Sequence, residues 1–219
     1  QNRLTQFRRD RIRYPRDNRF NSSESYAYTY NEQGKILKID YSGGLSWGYS
    51  YNDAGRLTNA SMGYSHPRFS IRGALAFTFT GDNLTQTVGG SGIRYQGMPD
   101  GMQDGFPGVG NATYTHDDKV NPFYGVFVIA SPFSGFTNVL SGPSTPGTLF
   151  GGIDNVLTLS RNNVVSETPP AGSNSPTITY EYSYNADNLP TVRIRTITPA
   201  AGVNNPVTVE KLRFEYESY

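Results

Sequence analysis

Apolar and aromatic residues alternate with polar ones in short runs along most of the chain, and no run keeps a helical period for long. Tyr28-Thr29-Tyr30, Trp47-Gly48-Tyr49-Ser50-Tyr51, Phe77-Thr78-Phe79 and Tyr180-Glu181-Tyr182-Ser183-Tyr184 have the period of two that belongs to strands with one buried face. Each is followed by a tight-turn signal and a second alternating run, so four hairpins read as copies of one unit. In the first two, Asn31 pairs with Lys35 around Glu32-Gln33-Gly34, and Asn52 with Arg56 around Asp53-Ala54-Gly55. These are three-residue loops with glycine in the left-handed position. The third shrinks to Gly81-Asp82, which suits a type II′ turn, and in the fourth Asn188 stands where the others have glycine. This register sets Tyr30 opposite Ile36, Tyr51 opposite Leu57, Phe79 opposite Leu84 and Tyr184 opposite Pro190. Continued along the fourth hairpin, it sets Tyr182 opposite Val192, Tyr180 opposite Ile194 and Glu181 opposite Arg193.

The same alternation assigns faces. Leu45, Trp47, Tyr49 and Tyr51 share one, as do Leu75, Phe77 and Phe79, and Leu212, Phe214 and Tyr216. Those rows predict a buried aromatic face, with Thr, Ser, Glu and Arg, including Arg193 and Arg195, on the other. The first hairpin departs from this: Lys38 would face inward opposite Tyr28, with Leu37 and Ile39 outward. A bulge near Leu37 repairs it. The expected fold is all-β, an antiparallel up-and-down meander that is strongly curved or forms a partly closed barrel.

The returning connections read as longer: Ser42–Ser46, Gly63–Gly73, Gly89–Asn111, Pro169–Pro176 and Pro199–Pro206. Long ordered loops are where binding residues gather. Residues 121–159 are apolar but interrupted by Gly, Pro and Ser, too irregular for a ladder. They predict an irregular cover or plug over the inner face, with a short helix near Gly152–Leu159. The whole chain, 1–219, is expected to be a single β domain, opening on a basic strand or arm over 1–20.

Composition sharpens this picture. Hydrophobic residues are only 36%, but Tyr 16 and Phe 12 supply large buried areas. Gly 24 and Pro 14 provide many turns without reaching a disordered composition. The net charge of +1 gives no case for nucleic acid. One local exception is Arg3, Arg8, Arg9, Arg11, Arg13, Arg16 and Arg19, read as a solvated strand face, with an arm for an acidic partner as the rival reading. Absence of cysteine removes disulfides, cysteine zinc sites and thiol catalysis.

Tyr49-x-Tyr51-Asn52-Asp53-x-Gly55-Arg56-Leu57 resembles the tyrosine–aspartate (YD/Rhs) repeat of bacterial surface and toxin-shell proteins. Three further stretches extend the likeness: Tyr114-Thr115-His116-Asp117-Asp118-Lys119-Val120-Asn121-Pro122-Phe123, Ser160-Arg161-Asn162-Asn163-Val164 and the closing Phe214-x-Tyr216. With these, the order over residues 25–219 is similar to a bacterial family of exported lipoproteins of unknown function with a porin-like β fold. The resemblance implies a curved antiparallel sheet, export to the periplasm or outer cell surface, and a lipid-anchored cysteine ahead of Gln1. It carries over no catalytic residues. A membrane-spanning barrel would need an outward apolar band. Arg193, Arg195, Glu181, Glu215 and Glu217, assigned to the face opposite the aromatics, favour a water-facing surface instead.

No catalytic motif stands out. His66 and His116 are the only histidines, and His116-Asp117-Asp118 reads as a turn more readily than as a metal or acid–base site. Asp100-Gly101-Met102-Gln103-Asp104-Gly105 lacks the ligand pattern of a calcium loop and reads as two Asp-Gly turns. Gly89-Gly90-Ser91-Gly92 precedes no helix and reads as a flexible loop. Tyr64, Phe69, Tyr95, Phe106 and Tyr124 sit in or near the long connections, where exposed rings could stack on sugars. The expectation is a non-enzymatic cell-envelope binding or interaction module, with glycan the leading ligand class. It has no cofactor and no metal, and a glycan or an envelope protein is its partner. Nucleic acid is excluded, membrane contact runs only through the lipid anchor, and the chain is a monomer. Two rivals remain: a carrier of an apolar small molecule or lipid inside the barrel, gated by 121–159, and a glycan hydrolase with two convergent carboxylates.

Overall fold

The computed structural model describes residues 3, 5–11, 22–41, 44–99, 104–107, 111–125 and 155–217. The strands are β1 (Gln6–Arg11), β2 (Ser22–Tyr30), β3 (Ile36–Tyr41), β4 (Leu45–Tyr51), β5 (Leu57–His66), β6 (Phe69–Thr80) and β7 (Asn83–Tyr95). They continue as β8 (Asp104–Pro107), β9 (Ala112–Val120), β10 (Asn162–Thr168), β11 (Thr177–Tyr184), β12 (Pro190–Thr198) and β13 (Thr208–Arg213). One short helix, α1 (Asn155–Thr158), falls where the interrupted apolar stretch predicts it. The protein is all-β. Among the described residues thirteen strands form one antiparallel meander that follows chain order, except that β8 pairs with β7 off the main path and β9 takes the next place. Among the described residues the order has two ends, β1 and β13, with no pairing that closes the ladder into a barrel. The cover expected over 121–159 falls largely on 126–154, outside the described residues, as do Arg13, Arg16 and Arg19 of the N-terminal arm.

The contacts group the chain into two compact units. The first comprises Gln1–Ala76, Gly89–Val109 and Ala130–Ile153, and the second Phe77–Val88, Gly110–Ile129 and Asp154–Tyr219. In the first unit, Tyr28 lies opposite Ile39, Ile39 opposite Trp47, and Trp47 opposite Met62, which makes a cross-strand row on one face. Tyr49, Ala60 and Leu75 form the next row. Tyr28, Ile39, Trp47, Tyr49, Ala60 and Leu75 are all buried, and each large side chain so removed from water contributes about 1.5–3 kcal/mol. The second unit buries Phe77, Leu84, Tyr114, Val164, Ile178 and Tyr180.

The repeat turns have the expected chemistry. Asn31, Asn52 and Asn185 each donate a backbone N–H to the carbonyl of the residue four later, Lys35, Arg56 and Leu189. Each asparagine side chain then accepts that residue's N–H, at 2.8–2.9 Å. Gly34 and Gly55 have φ of 81° and 71°, and Asn188, at 60°, is the only described non-glycine residue with positive φ. Gly81 has φ of 57° while Asp82 does not turn positive, as a II′ turn requires.

Beyond the turns, one device was only partly foreseen. Register slips by one residue after each three-residue turn, leaving Leu37, Thr58 and Thr191 as extra residues. The bulge at Leu37 is the one the sequence calls for: Ile39 is buried, Leu37 is exposed, and Lys38 turns outward to pair with Asp40 at 2.8 Å. Thr191 corrects the expected pairing of the fourth hairpin. Tyr184 meets Pro190, but Tyr182 then meets Arg193, Tyr180 meets Arg195 and Glu181 meets Ile194. A one-residue bulge moves every later side chain to the other face. Arg193 and Arg195 therefore share the aromatic face: Arg193 lies 5.5 Å from the Tyr180 ring centroid, and buried Arg195 pairs with Glu210 at 3.2 Å. Leu212 and Tyr216, expected in a buried row, are exposed.

Candidate functional site

The largest departure from the expected loop map creates the site. Gly63–Gly73 is no long connection: β5 and β6 run through it in register to the pair His66 and Phe69, leaving Pro67-Arg68 as a two-residue turn. Gly63, Ser65, Ser70 and Gly73 hide the strand because small residues erase the alternation. Likewise Gly89-Gly90-Ser91-Gly92 lies in β7, where Gly90 meets Pro107 and Gly92 meets Gly105. Asp104-Gly105 is thus strand rather than turn.

Pro67 holds φ near −65°, and Arg68 does not adopt positive φ, so the hairpin lacks a primed turn. At this end of the first unit, opposite the repeat turns, Phe69 is ringed by three aromatic side chains. Its centroid lies 5.7 Å from Tyr64, 4.9 Å from His66 and 6.3 Å from Tyr95. All three pairs are tilted, the geometry aromatic quadrupoles favour. The end of β7 is fixed to the turn by the Gln96 N–H donating to the Arg68 carbonyl at 2.8 Å. A cavity of about 270 Å³ opens here, lined by His66, Arg68, Phe69, Arg94, Tyr95 and Met98 among others.

Of the five candidate ring residues, the structure brings together Tyr64, Phe69 and Tyr95. Phe106 lies in β8 opposite Ser91, and its side chain is outside the described residues. Tyr124 is exposed in a turn of the second unit. Sequence reasoning missed His66, Arg68, Arg94 and Met98. The signal for them was His66-Pro67-Arg68-Phe69, with proline in the first corner of a turn. A second concavity, an open trough of about 620 Å³ on the polar face of the same unit, is lined by Leu37, Lys38, Gly48, Ser61, Gly63 and Arg72. It has no aromatic ring in its lining.

The second unit holds a polar cluster that superficially offers a nucleophile and a base. The Ser160 hydroxyl lies 2.9 Å from His116 Nε2. Ser160, however, has no exposed surface, and its oxygen already accepts the Leu84 N–H at 3.0 Å. Burial lowers the His116 pKa, only partly countered by neighbouring Asp117, so the ring is held neutral. Asp117 does not orient that ring. It accepts hydrogen bonds from the Tyr184 hydroxyl, from Asn163 Nδ2 at 3.3 Å and from the Lys119 N–H at 3.0 Å. Burial first, then bonding to Asp117, raises the Tyr184 pKa. Asn121 Nδ2 donates to the Leu157 and Ser160 carbonyls, and Asn83 and Asn162 exchange two 3.0 Å bonds. The cluster pins the third repeat turn and the approach to β10, and its one hydroxyl beside a histidine, that of Ser160, is fully buried. Among the described residues no group of three His, Asp or Glu gathers as a metal site.

Residues 30–63 match the family described as RHS Repeat, from the last residue of β2 into β5, a segment that contains the first two repeat turns. None of the curated proteins matches the chain. Among solved structures, it is similar to a porin-like protein from Bacteroides uniformis at 11% identity, covering 97% of this chain and 96% of that one. The TM-score is 0.30, too low for that likeness to carry an argument. Fold and repeat together define an all-β meander protein carrying an RHS-type repeat.

Proposed function

We propose that the chain is a non-enzymatic, exported module of the bacterial cell envelope that binds glycans at the Tyr64–Phe69–Tyr95 cluster. The observation that carries the reading is that cluster, half-exposed and set beside a cavity at the turn between β5 and β6. A sugar ring has an apolar C–H face and a hydroxyl rim. Aromatic faces take the first, and polar side chains at the edge take the second. Tyr95 is 48% exposed and supplies both a ring and a hydroxyl. The RHS-repeat match supports placement at the cell surface, because the repeats it resembles belong to bacterial surface and toxin-shell proteins.

The test is a glycan array probed with the natural chain and with Tyr95→Ala. Binding to a restricted set of glycans is expected, falling at least tenfold in Tyr95→Ala without a change in melting temperature, since this ring is half in solvent. An array without hits, or hits that survive Tyr95→Ala unchanged, would sink the reading.

A further inference from the structure

We propose that the cavity beside Phe69 selects sugars bearing a carboxylate, uronates, with Arg68, Arg94 and His66 as the anion-binding side chains; this rests on the glycan reading above. Arg68 and Arg94 contribute two guanidinium groups and His66 an imidazole, and no Asp or Glu is among the described lining residues. The chain as a whole is nearly balanced at +1, so the grouping of two arginines here is not a by-product of a basic protein.

The turn is ordered by hydrogen bonds around these residues. The Arg68 N–H donates to His66 Nδ1 at 3.2 Å, which puts the neutral ring's proton on Nε2, a donor. The Arg94 Nη2 donates to the Met98 carbonyl at 3.4 Å. Arg68 and Arg94 sit on two backbone segments tied by the Gln96–Arg68 bond, so both side chains leave the sheet at the same end. Guanidinium forks match a planar carboxylate with paired hydrogen bonds, which neutral sugars cannot accept with comparable strength. At about 270 Å³ the cavity lies just below the usual range of roughly 300–1,000 Å³ for ligand pockets, the scale of one ring with its substituent. Aromatic faces beside paired arginines are the complement of one acidic sugar residue, with further residues of a chain left outside.

Calorimetric titration with tetramers of galacturonate, mannuronate and guluronate, each against its methyl ester, tests this. The ester keeps ring and shape and removes the charge. At least one acid is expected to bind tenfold or more tightly than its ester. Arg68→Gln with Arg94→Gln should bring acid and ester to equal affinity, and Tyr95→Ala should weaken both forms. All three side chains are exposed, so unchanged melting of the variants checks the fold. Equal binding of acid and ester to the natural chain overturns the carboxylate preference and leaves the glycan reading standing. A preference that persists in the double arginine variant, or no binding by any of the three acids, overturns the assignment too. Only loss of array binding as well reaches the glycan reading.

Discussion

His66 and His116 carry the same side chain to opposite ends, and their surroundings decide what each can do. His66 is exposed beside a cavity, with Nδ1 already engaged by the Arg68 N–H. His116 is half-buried against Ser160, and burial holds its pKa below the ordinary 6.5. The sign of the consequence follows from proton counting: the unfolded chain binds a proton at His116 more readily than the folded one. Its contribution to stability is therefore complete above about pH 6.5 and is lost as pH falls through that value. Protonation would also remove the acceptor that the Ser160 hydroxyl needs. We expect the melting temperature of the natural chain to drop between pH 7.5 and 5.0 and that of His116→Gln to drop less. The amide oxygen still accepts from Ser160 but does not titrate. Parallel melting curves for the two proteins over that range would contradict the assignment.

At the scale of elements, turns were legible and strand register was not. A turn is decided by two or three residues whose backbone demands are local: Asn52 closes its loop and Gly55 takes φ of 71°. The fourth repeat substitutes Asn188 at φ 60°, which points to asparagine as the tolerable replacement for glycine there. In urea unfolding, Gly55→Ala is expected to cost about 1–2 kcal/mol, the left-handed penalty of an ordinary residue, and Gly55→Asn clearly less. Equal losses would mean that space, not φ, governs the site. Register is different, because a bulge is invisible unless it contradicts hydrophobicity. Leu37 betrayed its bulge since Ile39 had to be buried. Thr58 and Thr191 are polar and cause no such conflict, so the slip that moves Arg193 and Arg195 onto the aromatic face left no trace in the pattern. In structure their hydroxyls mark it, donating to the Ser50 and Ser183 carbonyls at 3.1 Å. The candidate site was legible in the same partial way. Large rings near a connection were visible, but the Gly- and Ser-rich strands that bring Tyr64, Phe69 and Tyr95 together read as loop, and nothing in the pattern singled out the arginines beside them.

For the whole molecule, the meander order means that each hairpin bonds chiefly to the strands before and after it, as in repeat proteins whose stability sums local and nearest-neighbour terms. The contacts separate the chain into two units although the strand order is continuous, with β6 and β7 each contributing to both. Such a chain can open in parts, with different free energies for different hairpins. The turn variant tests this directly, because Gly55 lies wholly in the first unit while β11 and β12 lie wholly in the second. Native-state hydrogen exchange on Gly55→Ala should show protection reduced across β3, β4 and β5. At about 1–2 kcal/mol, exchange there would quicken roughly 5- to 30-fold. Amides of β11 and β12 should exchange at unchanged rates. Uniform acceleration in both sets would instead mean that residues 1–219 unfold as one cooperative domain, the arrangement expected from the length and pattern of the sequence. Local acceleration would place the aromatic end of β5 and β6 in the first unit's own opening reaction. Saturating glycan should then slow exchange in β5 and β6 while leaving β11 and β12 untouched.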